Sequence, residues 1–294
     1  MANMREIHSR MKSIQDIMKI TNAMYLISSS KLKKARKALL ATEPYFEKLQ
    51  ATIHDILVRA PHMHQVFFER REEIKPEERK KGYIVITADK GLAGSYNHNV
   101  MKRAEEEMAK GNPDNTFLFV VGQVGRQYFG RKGVRVDCEF LYTAQNPTMY
   151  RAGCMSETII DLFKKGKLDD VYVIYSKMVT PIKSEVQFSR ILPLERKKFE
   201  RRKAGYLHAR FEPSPERVMA SLVPNYLRGL MFGVLVESFS SEQNARMTAM
   251  EAATKSAKDM LRELDLVYNR ARQASITQEI TEVVGGARSL KNKK

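Results

Sequence analysis

Apolar residues recur at alternating steps of three and four at both ends of this chain, and at short β-like runs in the middle. Toward the C-terminus the stripe is Phe232, Val236, Phe239, Gln243, Arg246, Met250, Ala253, Ala257, Met260, Leu264, Val267, Ala271, Ala274 and Gln278. That spacing predicts one long helix, starting near Ser214, with the seam of a left-handed coiled coil. From Glu216 to Gly286 such a helix spans about 100 Å, against about 30 Å for a compact domain. Most of it is therefore expected to leave the globule. Ile7, Met11, Ile14, Met18, Thr21, Tyr25, Ser28, Leu32, Ala35, Leu39, Thr42, Phe46, Leu49, Ile53 and Ile56 repeat the pattern near the N-terminus. Two such seams predict one antiparallel intramolecular pair, since ordinary globular helices run about 8–20 residues. Pro44 is expected to kink or interrupt the first helix, because it removes a donor and crowds the preceding turn. Gln243, Arg246 and Gln278 are polar entries in the seam. They suit a helix that in part faces another protein.

From about Glu77 to Leu194 the period changes. Strands are predicted at Tyr83–Thr87, Phe117–Val121, Val134–Cys138, Val171–Tyr175 and Val186–Ile191, with helices at Asn97–Lys110, Val124–Phe129 and Met155–Lys164. Alternating strands and helices give an α/β sheet, largely parallel and covered on both faces, with the last run antiparallel at an edge. The expected organisation is an N-terminal coiled-coil helix over 1–60, an α/β domain over 77–194, a basic connecting loop over 195–212 and a C-terminal coiled-coil helix over 213–288.

Chemistry is sparse. Asp89-Lys-Gly-Leu-Ala-Gly94 and Gly122-Gln-Val-Gly125 follow strands, where a nucleotide fold carries its phosphate loop. Neither reads GxGxxG or GxxxxGK[ST], so both read as tight strand-to-helix turns. His62-Met-His64 lacks a further ligand at metal spacing and reads as a surface turn. No catalytic nucleophile arrangement, cofactor motif or metal set stands out. Two cysteines, Cys138 and Cys154, in no CxxC pattern, imply a reducing compartment. No apolar run approaches the length of a membrane span, and no targeting segment opens the chain. A formal net charge of +17 calls for acidic partners, whether protein, lipid or nucleic acid. The basic run Glu195–Lys203, with only Phe199 interleaved, reads as a solvated loop.

Several blocks in order carry a resemblance. They are Ile14-Gln-Asp-Ile-Met-Lys-Ile-Thr-Asn-Ala-Met24 with Ser30-Lys31, Asp89–Gly94, Glu212-Pro-Ser-Pro215, Val223–Gly229, Ser241–Thr254 and Ile276-Thr-Gln-Glu-Ile-Thr-Glu-Val-Val-Gly-Gly-Ala287. Over essentially its full length the chain resembles the gamma subunit of F-type ATP synthases, of the bacterial type. The resemblance implies a non-catalytic central-stalk rotor. It would couple ion flow through a membrane c ring to ATP synthesis or hydrolysis at beta subunits, with alpha, beta, epsilon and c-ring subunits as partners and no cofactor of its own. It implies a peripheral position on the cytoplasmic face of the bacterial plasma membrane. Met24, Arg246, Gln273, Thr277, Glu279 and Glu282 match positions that meet the alpha/beta ring. Lys90, Tyr96, Tyr206 and Phe211 fall in the part that meets epsilon and the c ring. Ala93 stands where many relatives carry Cys, and the basic stretch 196–203 has no counterpart in the family pattern. The competing reading from composition is a basic coiled-coil protein that binds nucleic acid.

Overall fold

The computed structural model describes residues 4–136, 138–140, 144–180, 183–199 and 211–291. The chain falls into two compact units, Ser28–Arg246 and the pair Met1–Ile27 with Met247–Lys294. Two continuous helices contribute to both, α1 (Met4–Arg59) and α5 (Pro215–Lys291). Helical assignment runs through Pro44 without a break, contrary to an interruption there. α5 opens as its sequence suggests. The Ser214 hydroxyl accepts the Arg217 N–H at 3.3 Å, and Pro215 takes the first helical position, where a missing donor costs nothing.

In the Ser28–Arg246 unit a five-stranded sheet has the order β3-β2-β1-β4-β5. Its strands are β1 (Lys81–Ile86), β2 (Thr116–Val121), β3 (Cys138–Phe140), β4 (Asp170–Met178) and β5 (Ser184–Leu192). The first four are parallel, and β5 joins β4 antiparallel at one edge. Between them run α2 (Tyr96–Met108), α3 (Gln123–Arg131) and α4 (Met149–Lys164). Side chains alternate across the pleat. Ile84, Ile86, Phe119, Val121, Val171 and Val173 share a core with α1, α4 and α5. Tyr83, Val85, Leu118, Val120 and Ile174 pack with α2 and α3 on the other face. One strand is displaced from its expected place. Val134 and Val136 are not in the sheet but pack half-buried on the α2–α3 face, and pairing with β2 begins only at Cys138 opposite Phe119. Their alternation marks two side chains that reach the core before the backbone reaches the ladder.

The linker after α1 is pinned to the sheet by buried charge. Arg79 donates to Asp170 at 2.6 and 3.3 Å, and Arg71 to Asp169 at 2.6 Å. One eighteen-residue window in α5 reaches a mean hydropathy of 1.3. That window is 44% buried, and apolar residues of α5 such as Val223, Leu227, Phe232 and Val236 belong to the main core.

In the other unit the two helices run antiparallel. Thr21 and Thr254 share a hydrogen bond at 2.8 Å, and the rings of His8 and Tyr268 lie 6.2 Å apart, so one numbering rises as the other falls. On α1 the covered positions include Ile7, Met11, Ile14, Met18, Thr21 and Tyr25, as the pattern predicts, with Met24 half-buried beside them. On α5 they are Met250, Ala253, Thr254, Ala257, Leu261, Leu264, Tyr268, Ala271 and Ser275. Beyond Ala257 every second position is thus one residue later than expected, since Met260 and Val267 are 51% and 46% exposed whereas Leu261 and Tyr268 are half-buried. α5 bears two adjacent apolar flanks, and hydrophobicity alone selects the wrong one. By this register α1 begins level with the Ala271 turn. Past Ser275, the described side chains of α5 through Ala287 are all exposed.

Candidate partner interface

The topology places the site of a conventional α/β ligand and then fills it. Strand order reverses between β1 and β4, and such sheets bind ligands outside the carboxyl ends of the strands at that switch. Here α5 lies across it. The Tyr96 hydroxyl, just after β1, bonds the Ser238 hydroxyl at 2.7 Å. Ser176, near the end of β4, bonds Ser241 at 2.7 Å. Tyr175 donates to Glu237 at 3.1 Å. Burial raises the Tyr96 hydroxyl pKa, with the Glu242 carboxylate adding to it. Ser241 and Glu242 stand in the Ser241–Thr254 block, but neither they nor Ser238 is a predicted site residue. Their signal was the cluster Ser238, Ser240, Ser241, Glu242 and Gln243, interrupted only by Phe239, inside a helix expected to be apolar there.

The second Gly-rich turn is closed from within. Gly122 has φ 94°, and a Cβ there would sit 2.2 Å from the Thr87 carbonyl oxygen. The Thr87 hydroxyl donates to the Val121 carbonyl at 2.8 Å and accepts the Gly125 N–H at 3.0 Å. Asp89 accepts the Gln123 N–H at the start of α3 (3.2 Å) and the Gln145 N–H (3.3 Å). A carboxylate of the chain itself therefore occupies the helix end that would hold a phosphate.

Beside this turn Arg246 is 8% exposed. Its guanidinium donates to Glu242 at 2.6 Å and to the carbonyls of Gly91 (3.2 Å) and Lys90 (3.4 Å). Glu242 is buried and its second oxygen has no partner. Burial holds its carboxyl above the usual range, with Arg246 pulling it down. Lys90 itself is exposed. Phe211 is half-buried, with the Arg59 guanidinium 5.5 Å from its ring centre. Tyr206 lies outside the described residues.

In the helical pair Met24 is half-buried, whereas Gln273, Thr277, Glu279 and Glu282 are exposed. The Thr277 hydroxyl donates to the Gln273 carbonyl at 2.9 Å, and Gln278 donates to Glu282 at 2.9 Å. The same stretch of α5 exposes Ile276, Ile280, Val283 and Val284 at helical spacing. So the last turns offer an apolar stripe flanked by hydroxyls and carboxylates.

The basic segment is less free than its composition suggests. Arg196, in a short 3₁₀ turn, donates to the carbonyls of Pro61 (2.6 Å) and Met63 (2.9 Å), and Arg190 pairs with Glu195. Phe199 is buried at 2% exposure. That corrects the reading of Glu195–Phe199 as a solvated loop. His62 and His64 are exposed around a buried Met63, and no cluster of three potential metal ligands occurs among the described residues.

A family model described as ATP synthase matches residues 3–290. The chain is 50% identical over 293 residues to the ATP synthase gamma chain of Ruminiclostridium cellulolyticum, covering 98% of this chain and 99% of that one. The chain belongs to the ATP synthase gamma-chain family. A gamma chain of Acetivibrio thermocellus is 47% identical over 99% of this chain and 100% of its own length. A gamma chain of Acetobacterium woodii described as sodium ion specific is 38% identical, over 98% and 99%. The fold matches that of one chain in the structure of the central stalk and c ring of Tetrahymena thermophila mitochondrial ATP synthase, with TM-score 0.58 and 22% identity over 80% of this chain and 99% of that one. These gamma chains give the nucleic-acid reading no support.

Proposed function

We propose that the chain is the central-stalk rotor subunit of a bacterial F-type ATP synthase. The observation that carries the reading is α5 beyond Ser275. It is a helix with no partner of its own over its last described turns, exposing Ile276, Ile280, Val283 and Val284 beside Thr277, Glu279 and Glu282. A helix left unpaired on all sides is marginal in water, and most helical stability comes from burying an apolar face. An enclosing ring of alpha and beta subunits supplies that burial. Polar neighbours and small contacts keep any one angular position from being bound too tightly. Met24, Gln273, Thr277, Glu279 and Glu282 form the ring-facing set. Arg246 serves it from its tie to the Lys90–Gly91 turn.

The sheet unit supplies the other end of the coupling. Lys90 and Phe211 lie on the surface offered to epsilon and the c ring, with Tyr96 fixing the turn from beneath and Tyr206 belonging to the same segment. The chain is then a peripheral component on the cytoplasmic face of the plasma membrane, held there through the c ring. Catalysis belongs to the beta subunits. Its own strand-order switch is filled by α5, which agrees with that division.

Reconstitution tests the reading. Mixed with alpha and beta subunits, the chain is expected to form a stable complex whose ATPase depends on it. Replacing Ile276, Ile280 and Val283 together by Ser is expected to lower that ATPase several-fold while leaving the circular dichroism of the isolated chain unchanged. Failure to form any complex would sink the reading.

A further inference from the structure

Within the Ser28–Arg246 unit, α1, α4, β4 and α5 line a cavity of about 480 Å³ that opens to solvent, in the size range of small-molecule sites. Its wall is mostly carbon, from Leu39, Phe46, Met149, Leu230 and Val234. Two observations set it apart from a packing gap. The first is Gly233, which lines it from inside α5 and has nothing within 4 Å of where a Cβ would stand. Helix interiors disfavour glycine unless something requires it. One turn earlier the requirement is plain, because a Cβ on Gly229 would lie 2.7 Å from the Phe46 ring. At Gly233 no neighbour makes that demand, and the missing side chain leaves room in the cavity.

The second observation is charge. The polar end of the cavity holds the Glu237 carboxylate, bonded by the Tyr175 hydroxyl at 3.1 Å and by Lys177 at 3.2 Å. Glu43 is a second carboxylate on the same wall. Two carboxylates against one ammonium leave this spot negative in a chain of net charge +17. We infer that the cavity binds a small monocationic amphiphile. Its aromatic or aliphatic body lies over Gly233, and its ammonium head is directed to Glu43 and Glu237. An occupant there touches α1, β4 and α5 at once and stiffens their packing. The inference does not depend on the rotor reading.

The test is a titration of the full chain, labelled at the methionine methyl groups, with 4-phenylbutylamine. A saturable shift of the Met149 methyl resonance is expected, assigned by its loss in Met149→Leu. The neutral analogue 4-phenyl-1-butanol is expected to bind about tenfold more weakly. Glu43→Gln, at an exposed position, is expected to weaken the amine and not the alcohol. Gly233→Leu, with the other methionine resonances intact, is expected to abolish both. Absence of a saturable Met149 shift overturns the proposal. So does equal binding of amine and alcohol, or unchanged binding in a folded Gly233→Leu variant. If Gly233→Leu does not fold, the amine–alcohol comparison and Glu43→Gln still decide.

Discussion

At the scale of single residues, the buried pair Glu242–Arg246 carries the sharpest consequences. Removing one member leaves the other charged and unpaired, which costs about 3 kcal/mol or more in such settings. Arg246→Met is therefore expected to lower unfolding free energy by about that amount, read by denaturant titration, and Glu242→Leu in the same chain to restore much of it. The pair also sets a pH dependence. The Glu242 carboxyl is raised above its ordinary 4.5 by burial, so the folded chain holds this proton more tightly than the unfolded chain does. Its ionisation then costs stability as pH rises from about 4.5 through the folded value, and the cost is relieved as pH falls. Relative to Glu242→Gln, the unaltered chain should lose stability across that interval on going up in pH. A difference that stays flat would remove the carboxyl from the account. Gly122 is constrained on two counts, its positive φ and the Thr87 carbonyl 2.2 Å from any Cβ. Gly122→Ala should cost about 2 kcal/mol or more by the same titration. None of this was legible beforehand. Glycine at a strand end announces a turn, but not which backbone atom crowds it. A glutamate four residues before an arginine on a helix looks like an ordinary surface pair until its burial is known.

At the scale of elements, the two helices show why one seam was readable and the other only half so. On α1 the 4-3 reading lands on covered positions, although Ile17, Ile20, Leu26 and Ile27 lie off that stripe and are exposed. α5 is packed on several sides through Phe239, and a phase fixed there does not carry forward to the pair beyond Met250. The hydroxyl contact between Thr21 and Thr254 marks the register, and no hydrophobicity argument would add Thr254 to Ala253 as a covered position. The distinction can be measured. Ala257 is 6% exposed in the seam, so Ala257→Leu should overpack it and cost about 1–3 kcal/mol in the isolated chain. Met260→Ser, at an exposed position, should leave the isolated chain within about 0.5 kcal/mol. Its effect should appear instead as weaker coupling of ATP hydrolysis to ion pumping in the complex. In the sheet, the parallel core strands and the antiparallel edge were legible from β-rich runs. β3 was misplaced because Val134 and Val136 pack without pairing.

At the scale of the whole molecule, charge is the property that sequence reports most directly. The chain carries 51 Lys and Arg against 34 Asp and Glu, and Lys31, Lys33 and Lys34 cluster on an exposed stretch of α1. Clustered surface charge acts mainly on encounter and is screened within about 10 Å at 0.1 M salt. Reversing these three lysines to Glu is expected to slow assembly with alpha and beta subunits at low salt and to matter less as salt rises. Assembly rates unchanged at every salt concentration would remove the charge match from the mechanism. The filled switch point has a different bearing. A subunit working among enzymes that make and consume ATP stands in a solution rich in the very molecule its α/β fold is shaped to receive. Asp89 accepts the N–H at the start of α3, and the Ser238 and Ser241 hydroxyls tie α5 to Tyr96 and Ser176, so on the rotor reading nucleotide is kept out of this crevice and acts on the shaft through the ring subunits.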